Sequence, residues 1–382
     1  MERYDAIVLG VGGVGSAALY HFARRGARVL GVDRFRPPHD RGSTHGHTRV
    51  IRQAYFEHAD YVPLLRESYR EWHDLQGRAG RQLLHQIGLI EVGPSDGMVV
   101  PGVLRAAEEH ELTVEPMTAA EIEKRWPGLR VGDGLVGVFE LTAGYLLVED
   151  CVQAHLDAAR AAGAEVLFDT EIESWMAIGD GVRVRTSSGV DITAGRLIIT
   201  AGAWAGRLLS ELNVPLTIRR KSLFWFDTDG AEYDVANDMP VFLFELPATT
   251  GDAVFYGFPK LDVRGVKVAE HSGGRIVNDP LDVDRSIDAD EQRRLEEFLA
   301  RHLPGVSLRV ADHAVCLYTM SPDEHFIVDR HPALPNAFIA AGLSGHGFKF
   351  APVLGRALAE MALDGGTDLP IGFLSMQRLA SA

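Results

Sequence analysis

The chain has 382 residues and a formal net charge of −15, with 46% apolar and 24% charged residues; that length exceeds what one core usually supports and predicts two domains. So acidic a composition speaks against nucleic acid or an anionic membrane surface as a partner, and no apolar run approaches the roughly 20 residues that span a bilayer. Two cysteines are too few for a disulfide framework or a thiolate metal site, so a metal-free protein of the reducing cytoplasm is expected.

The N-terminus, MERYDAIVLGVGG, runs straight into a strand pattern without a basic leader or cleavage site, and the C-terminal LASA is no strong targeting signal. Residues 6–9 read as a buried parallel strand, 16–25 as a helix and 28–32 as a second strand, with Asp33 at its end. Gly10, Gly12 and Gly15 fit G-x-G-x-x-G between the first strand and the helix. Such glycines permit a tight turn, close approach to a pyrophosphate and tight helix packing, while the helix N-terminus favours phosphate and Asp33 can accept from a ribose. FAD and NAD share this motif. The next stretch, RFRPPHDRGSTHGHTRVIRQAY, is rich in turn residues and basic groups rather than a second βα unit, which points to FAD.

Farther along, IGLIEV (87–92) reads as a strand, and Thr118 with Glu121 fits a capping box. Residues 149–172 read as a helix followed by a strand. Residues 181–200 read as a hairpin and then a separate strand, which leads into the small turn Ala201-Gly202-Ala203. Successive strand patterns over 216–275 predict an antiparallel sheet, and residues 288–303 a helix. The expected fold is therefore α/β with two domains. A Rossmann-like FAD-binding domain takes residues 1–80, 145–212 and 320–382; a substrate domain with a mainly antiparallel sheet takes 81–144 and 213–319.

Three groups of residues could carry chemistry. If 45–52 is helical, His45, Arg49 and Arg52 share one face, which suits either a bound carboxylate or a solvated basic surface. Tyr256 stands near Lys267 and His271, and strand alternation puts Lys267, Ala269 and His271 on one face; a plain polar outer face would look the same. Cys316 and Tyr318 share a strand face too, and a lone thiol in a strand is ordinarily a small buried hydrophobe. The segment GLSGHGFKF repeats the glycine-turn logic, with a helix expected from about residue 348 and Lys349 in its first turn, an unfavourable place for a cation unless an anion binds there.

These blocks together resemble the monomeric sarcosine oxidase and N-methyl-L-tryptophan oxidase family of D-amino-acid oxidase-like flavoproteins. The resemblance runs nearly end to end and is carried by GVGGVGSA, PPHDRGSTHGHTRVIRQAY, FYGFP, AVCLYTMSPDEHFIVD and AGLSGHGFKF. It implies FAD attached as an 8α-S-cysteinyl thioether to Cys316. Gly10, Gly12, Gly15, Asp33, Ser43, Thr48, Ile172, Gly202, Gly345 and Gly347 would lie along the cofactor, with His45 and Arg49 against the flavin ring. Arg52 and Lys349 would clamp the substrate carboxylate; Tyr256, His271 and Tyr318 would line the pocket; Lys267 would promote reaction with O₂. The implied enzyme is a cytoplasmic monomer that oxidises sarcosine to glycine and formaldehyde and releases hydrogen peroxide, with N-methyl-L-tryptophan or L-pipecolate as alternative substrates. Thr44, where relatives often carry a second histidine, and the loop KLDVRGVK depart from the family pattern, while HSGG and SPDE lean toward the N-methyl-L-tryptophan enzymes.

Overall fold

The opening glycine turn folds as its residue types dictate. Strand β1 (Tyr4–Leu9) lies parallel between β2 (Val29–Val32) and the strand Asp191–Ile199. The helix α1 (Gly13–Ala23) is buried from Val14 onward. A Cβ at Gly15 would fall 1.8 Å from the Gly10 carbonyl oxygen, and one at Gly355 would fall 2.5 Å from the Ala18 nitrogen. Those two glycines let α1 pack backbone to backbone against the turn below it and against the C-terminal helix Ala351–Asp364. The computed structural model describes residues 3–212, 214–248 and 251–381; Met1, Glu2 and Ala382, part of the chain ends read above for targeting signals, lie outside the described residues.

Among the described residues the first sheet has eight strands. The residues predicted as a hairpin strand and a separate strand form one strand, Asp191–Ile199. Its first half pairs antiparallel with Gly181–Thr186 and its second half parallel with Ala337–Ala341, so one edge serves two neighbours. Alternation sends Ala6 and Val8 into a core beneath α1, α2 (Tyr61–Ala79) and the C-terminal helix, and sends Ile7 and Leu9 into a second core on the other face. Both faces are covered, which is why β1 reads as a continuous apolar run.

The second sheet has nine strands among the described residues. It is mainly antiparallel; Leu89–Pro94 runs parallel to Val241–Ala248. One face, with Phe224, Phe242, Val266 and Val268, packs on Phe298 and Leu299 of the helix Ala289–His302. The other carries Trp225, Leu243, Tyr256, Ala269, Cys316 and Tyr318. Asp288 caps that helix by accepting from the N–H groups of Asp290 and Glu291, and the capping box of Thr118 and Glu121 forms as predicted.

The condition on which His45, Arg49 and Arg52 would share one helical face is not met: the stretch holds β3 (Thr48–Ile51), joined with Gly144–Leu147 and Leu84–His85 in a three-stranded sheet. Thr48, Val50 and Ile51 are β-branched and favour a strand. Just before them Gly46 (φ 91°) and His47 (φ 71°) are left-handed, and their N–H groups donate to the Glu149 carboxylate rather than to a helical turn. Among the described residues no helix is long and apolar enough to cross a membrane.

Candidate active site

A cleft of about 440 Å³ opens over the glycine turn. Gly10 has φ 85°, and a Cβ there would strike the Thr200 carbonyl oxygen at 2.7 Å. At Gly12 a Cβ would meet only Thr44 Oγ1 at 3.4 Å, so the backbone lies open to a ligand. The first turn of α1 carries no side-chain cap, which leaves its N–H groups free for an anion. The Asp33 carboxylate is fixed by the N–H groups of Val11 (2.8 Å) and Phe35 (2.9 Å) and lines the same cleft. So does Trp204, whose buried Nε1 has no partner among the described residues. A turn that side chains would fill, an uncapped helix start, a terminal carboxylate and an unpaired donor fit a dinucleotide cofactor such as FAD.

Ser43, Ile172, Gly202, Cys316, Gly345 and Gly347 line this cleft. Gly15, His45, Thr48 and Lys267 do not line it. Gly15 acts in packing, and the other three are buried beside it. Arg49 ties the group together: it donates to the carbonyls of Thr48 and Ser43, each at 2.8 Å, and to Cys316 Sγ at 3.3 Å. Burial, with Arg49 adding to it, lowers His45 to about 4, so its imidazole is neutral at pH 7. Lys267 Nζ donates to Gly46 O (2.6 Å), Thr48 O (2.9 Å) and Thr48 Oγ1 (3.0 Å). Burial pulls its pKa well below the usual lysine range. Three acceptors nevertheless use all three N–H groups of an ammonium, and the rings of Trp225 and Phe258 lie 5.3 and 4.8 Å from it. We therefore take Lys267 as charged at neutral pH.

A second pocket of about 60 Å³ adjoins the cleft and shares Arg49, Tyr318, Gly345 and Phe348 with it. Tyr256, His271, Arg52 and Lys349 complete much of its wall. Alternation along Val266–Glu270 puts Lys267 and Ala269 on the site face and Val266 and Val268 in the opposite core, as the residue pattern predicts. His271 Nδ1 and the Tyr318 hydroxyl are 3.2 Å apart. Burial, with the nearby Lys221 charge, lowers His271 to about 3. Lys349 stands in a 3₁₀ turn, Phe348–Phe350, because the helix begins only at Ala351; its position is thus a correction to the first-turn assignment. Its Nζ donates to His346 O (2.8 Å) and the Tyr55 hydroxyl (3.3 Å), and burial, with Arg52 beside it, lowers it to about 7.

Arg52 is held on several sides. Nη2 reaches Glu57 at 2.7 Å, Nε reaches Glu91 at 3.0 Å, and the rings of Tyr55 and Phe56 lie 4.2 and 4.4 Å from the guanidinium. Its Nη1 is buried without a partner among the described residues. Sequence reasoning missed Tyr55, Glu57, Glu91 and His346 here, and Trp204 in the larger cleft. The strand period alone carried a signal for Glu91, an acid at a position flanked by core residues.

Residues 5–361 match the family of FAD dependent oxidoreductases. The chain is 41% identical to a monomeric sarcosine oxidase of Streptomyces avermitilis over 99% of its length and 98% of that protein's. It is 38% identical to the N-methyl-L-tryptophan oxidase of Citrobacter koseri, covering 94% and 95% of the two chains. Among solved structures, the open form of NikD, an amino acid oxidase of nikkomycin biosynthesis, superposes with a TM-score of 0.87 at 24% identity over 98% of both chains. Glycine oxidase from Geobacillus kaustophilus does so with a TM-score of 0.80 at 20% identity over 99% of both, a likeness of fold. The chain thus belongs to the FAD dependent oxidoreductases, in the group that holds the monomeric sarcosine oxidases and N-methyl-L-tryptophan oxidases.

Proposed function

We propose that the protein is a secondary-amine oxidase whose substrate is sarcosine: sarcosine, O₂ and water give glycine, formaldehyde and hydrogen peroxide. The observation that carries this reading is the small pocket beside the dinucleotide cleft, with two cationic side chains, Arg52 and Lys349, in its wall. FAD, when bound, supplies the two-electron oxidation of the substrate and delivers the electrons to O₂. The chain's own residues bind and orient. Cys316 would hold the cofactor as a thioether, with Arg49, His45 and Thr48 around the same end of the cleft. Arg52 and Lys349 grip the substrate carboxylate through charge-assisted hydrogen bonds. Tyr256, His271 and Tyr318 wall off water, and His271, neutral, adds no charge against the substrate amine. Lys267 supplies a fixed positive charge that favours electron transfer to O₂.

The size of the pocket favours the small substrate. About 60 Å³ is well below the roughly 300 Å³ at which drug-sized ligand sites begin, and an indole needs far more room than a methyl group. N-methyl-L-tryptophan oxidation is the second reading, supported by the relatives that carry that name. The same reading takes the enzyme as a cytoplasmic monomer; two cysteines that form no disulfide are in keeping with the reducing compartment. Anaerobic addition of sarcosine, N-methyl-L-tryptophan and L-pipecolate to the yellow protein tests it. Bleaching by sarcosine first is expected; bleaching by N-methyl-L-tryptophan alone selects the second reading, and a colourless protein that binds NAD overturns both.

A further inference from the structure

A buried carboxylate stands behind the arginine of the smaller pocket. Along the strand Leu89–Pro94, Ile90 and Val92 face the core around Phe298. Alternation turns Glu91 to the opposite side, where its cross-strand partner Leu243 lines the pocket. Glu91 is 0% exposed, and a carboxyl so placed is costly unless it is partnered. Oε1 accepts from Arg52 Nε at 3.0 Å, and Oε2 has no partner.

The two acids on Arg52 differ in freedom. Glu57 lines the pocket from an irregular segment and keeps 18% of its side chain exposed. Glu91 sits in mid-sheet, between Val241–Ala248 on one side and Leu135–Glu140 on the other. Only Glu91 can hold Nε while the rest of the guanidinium meets a ligand, and the atom left over is Nη1, buried and unpartnered.

We propose that Glu91 is the fixed anchor of Arg52, a positioning residue that presents Nη1 to the substrate carboxylate and, when ionised, cancels part of the arginine's charge. The inference rests on the carboxylate-binding reading above. The groups that face Glu91 are Arg52, Tyr55 and Glu57 from the segment after β3, Glu140 from the neighbouring strand and Lys349 from the 3₁₀ turn. Burial pushes Glu91 up to about 8 against the pull of Arg52, and the charges of Glu140 and Glu57 add to the rise. Below that pH Glu91 keeps its proton and Arg52 offers more of its charge to an anion. Above it the new negative charge competes with the ligand, and affinity for a carboxylate falls.

The test is titration of the holoenzyme and its variants with methylthioacetate, an inert carboxylic acid, followed by flavin absorbance from about pH 6.5 to about pH 9.5. Glu91→Gln keeps an acceptor for Nε and cannot ionise; it should bind within about twofold of the parent at the acid end and lose about threefold less affinity on going alkaline. Glu91→Leu removes both the acceptor and the ionisable group; it should bind roughly tenfold more weakly than the parent at the acid end and share the shallower alkaline fall of Glu91→Gln. If Glu91→Leu does not fold, the pH slope of Glu91→Gln decides alone. Unchanged binding in both variants, or equal weakening in both with the parent's pH slope, overturns the anchor. Failure of the parent to bind the acid overturns the carboxylate reading and the anchor with it; a parent that binds beside unresponsive variants sinks the anchor only.

Discussion

Arg49 Nη2 points at Cys316 Sγ from 3.3 Å, across 267 positions of the chain. The contact joins β3 of the three-stranded sheet to the longest strand of the second sheet, Val310–Met320, and puts a fixed cation beside the thiol that lines the cleft. Cys151, the other thiol, is fully buried in the helix Val148–Ala161 under the first sheet, and burial pushes it well above the usual thiol range. Of the two thiols, Cys316 alone lines the cleft.

The first prediction is that acid-precipitated protein stays yellow and its intact mass exceeds the chain by one FAD. Cys316→Ser should release all colour on precipitation. Colour retained by that variant would put the tether elsewhere.

Lys267 carries the second. Lys267→Met should leave flavin reduction by substrate nearly intact and slow reoxidation by O₂ about a hundredfold, the effect of roughly 3 kcal/mol from one well-placed charge. Because Nζ satisfies the carbonyls of Gly46 and Thr48, the variant should also lose about 1–3 kcal/mol of stability. Stopped-flow traces separate the half-reactions. Equal slowing of both would make Lys267 a scaffold residue only.

What could be read in the residues beforehand follows the range of the interactions. β1, α1, β2 and Asp33 were legible because one local pattern dictates all four. The pairing of Cys316 with Tyr318, and of Lys267 with Ala269, was legible because strand alternation decides it. The stretch around Arg49 misled because basic residues at helical spacing outweighed the β-branched run Thr48, Val50 and Ile51, while the partner that turns Gly46 and His47, Glu149, lies about a hundred positions away. Glu91 was hidden for the same reason, since its partner Arg52 lies 39 positions away; Glu57, only five positions from Arg52, was hidden because the irregular segment between them has no period to read.

Gly345 carries a third prediction. It has φ 82°, and a Cβ there would lie 2.3 Å from the Tyr318 ring, in the wall shared by the two cavities. Gly345→Ala should lower stability by about 1–3 kcal/mol and weaken binding of a carboxylic acid, since both backbone and ring must move. Gly366→Ala, where a Cβ meets nothing within 4 Å, is the control. Matching melting curves and affinities for the two variants would mean that Tyr318 yields at little cost.

The carboxylate clamp gives the last prediction, and its sign with pH can be worked out. Lys349 has a folded pKa lowered from 10.5 to about 7. Without ligand, the folded state therefore binds fewer protons than the unfolded chain between about pH 7 and about pH 10.5, and stability rises with pH across that window. A bound carboxylate reverses the preference, because it needs the ammonium; affinity should be full below about pH 7 and fall as the lysine loses its proton. Removing one charged partner should cost about 1.5–3 kcal/mol, or roughly ten- to a hundredfold in affinity. Lys349→Met is the cleaner variant: it should show that loss near neutral pH, flatten the fall that begins near pH 7, and melt no lower than the parent when ligand-free, since a buried cation has gone. Arg52→Ala should lose similar affinity but also stability, because it strands Glu57 and Glu91. The double variant should lose less than the sum, since both cations grip one group. Titration of flavin absorbance with methylthioacetate or 2-furoate reads every arm. Affinities equal to the parent's in both single variants would move substrate orientation to His271 and the tyrosines.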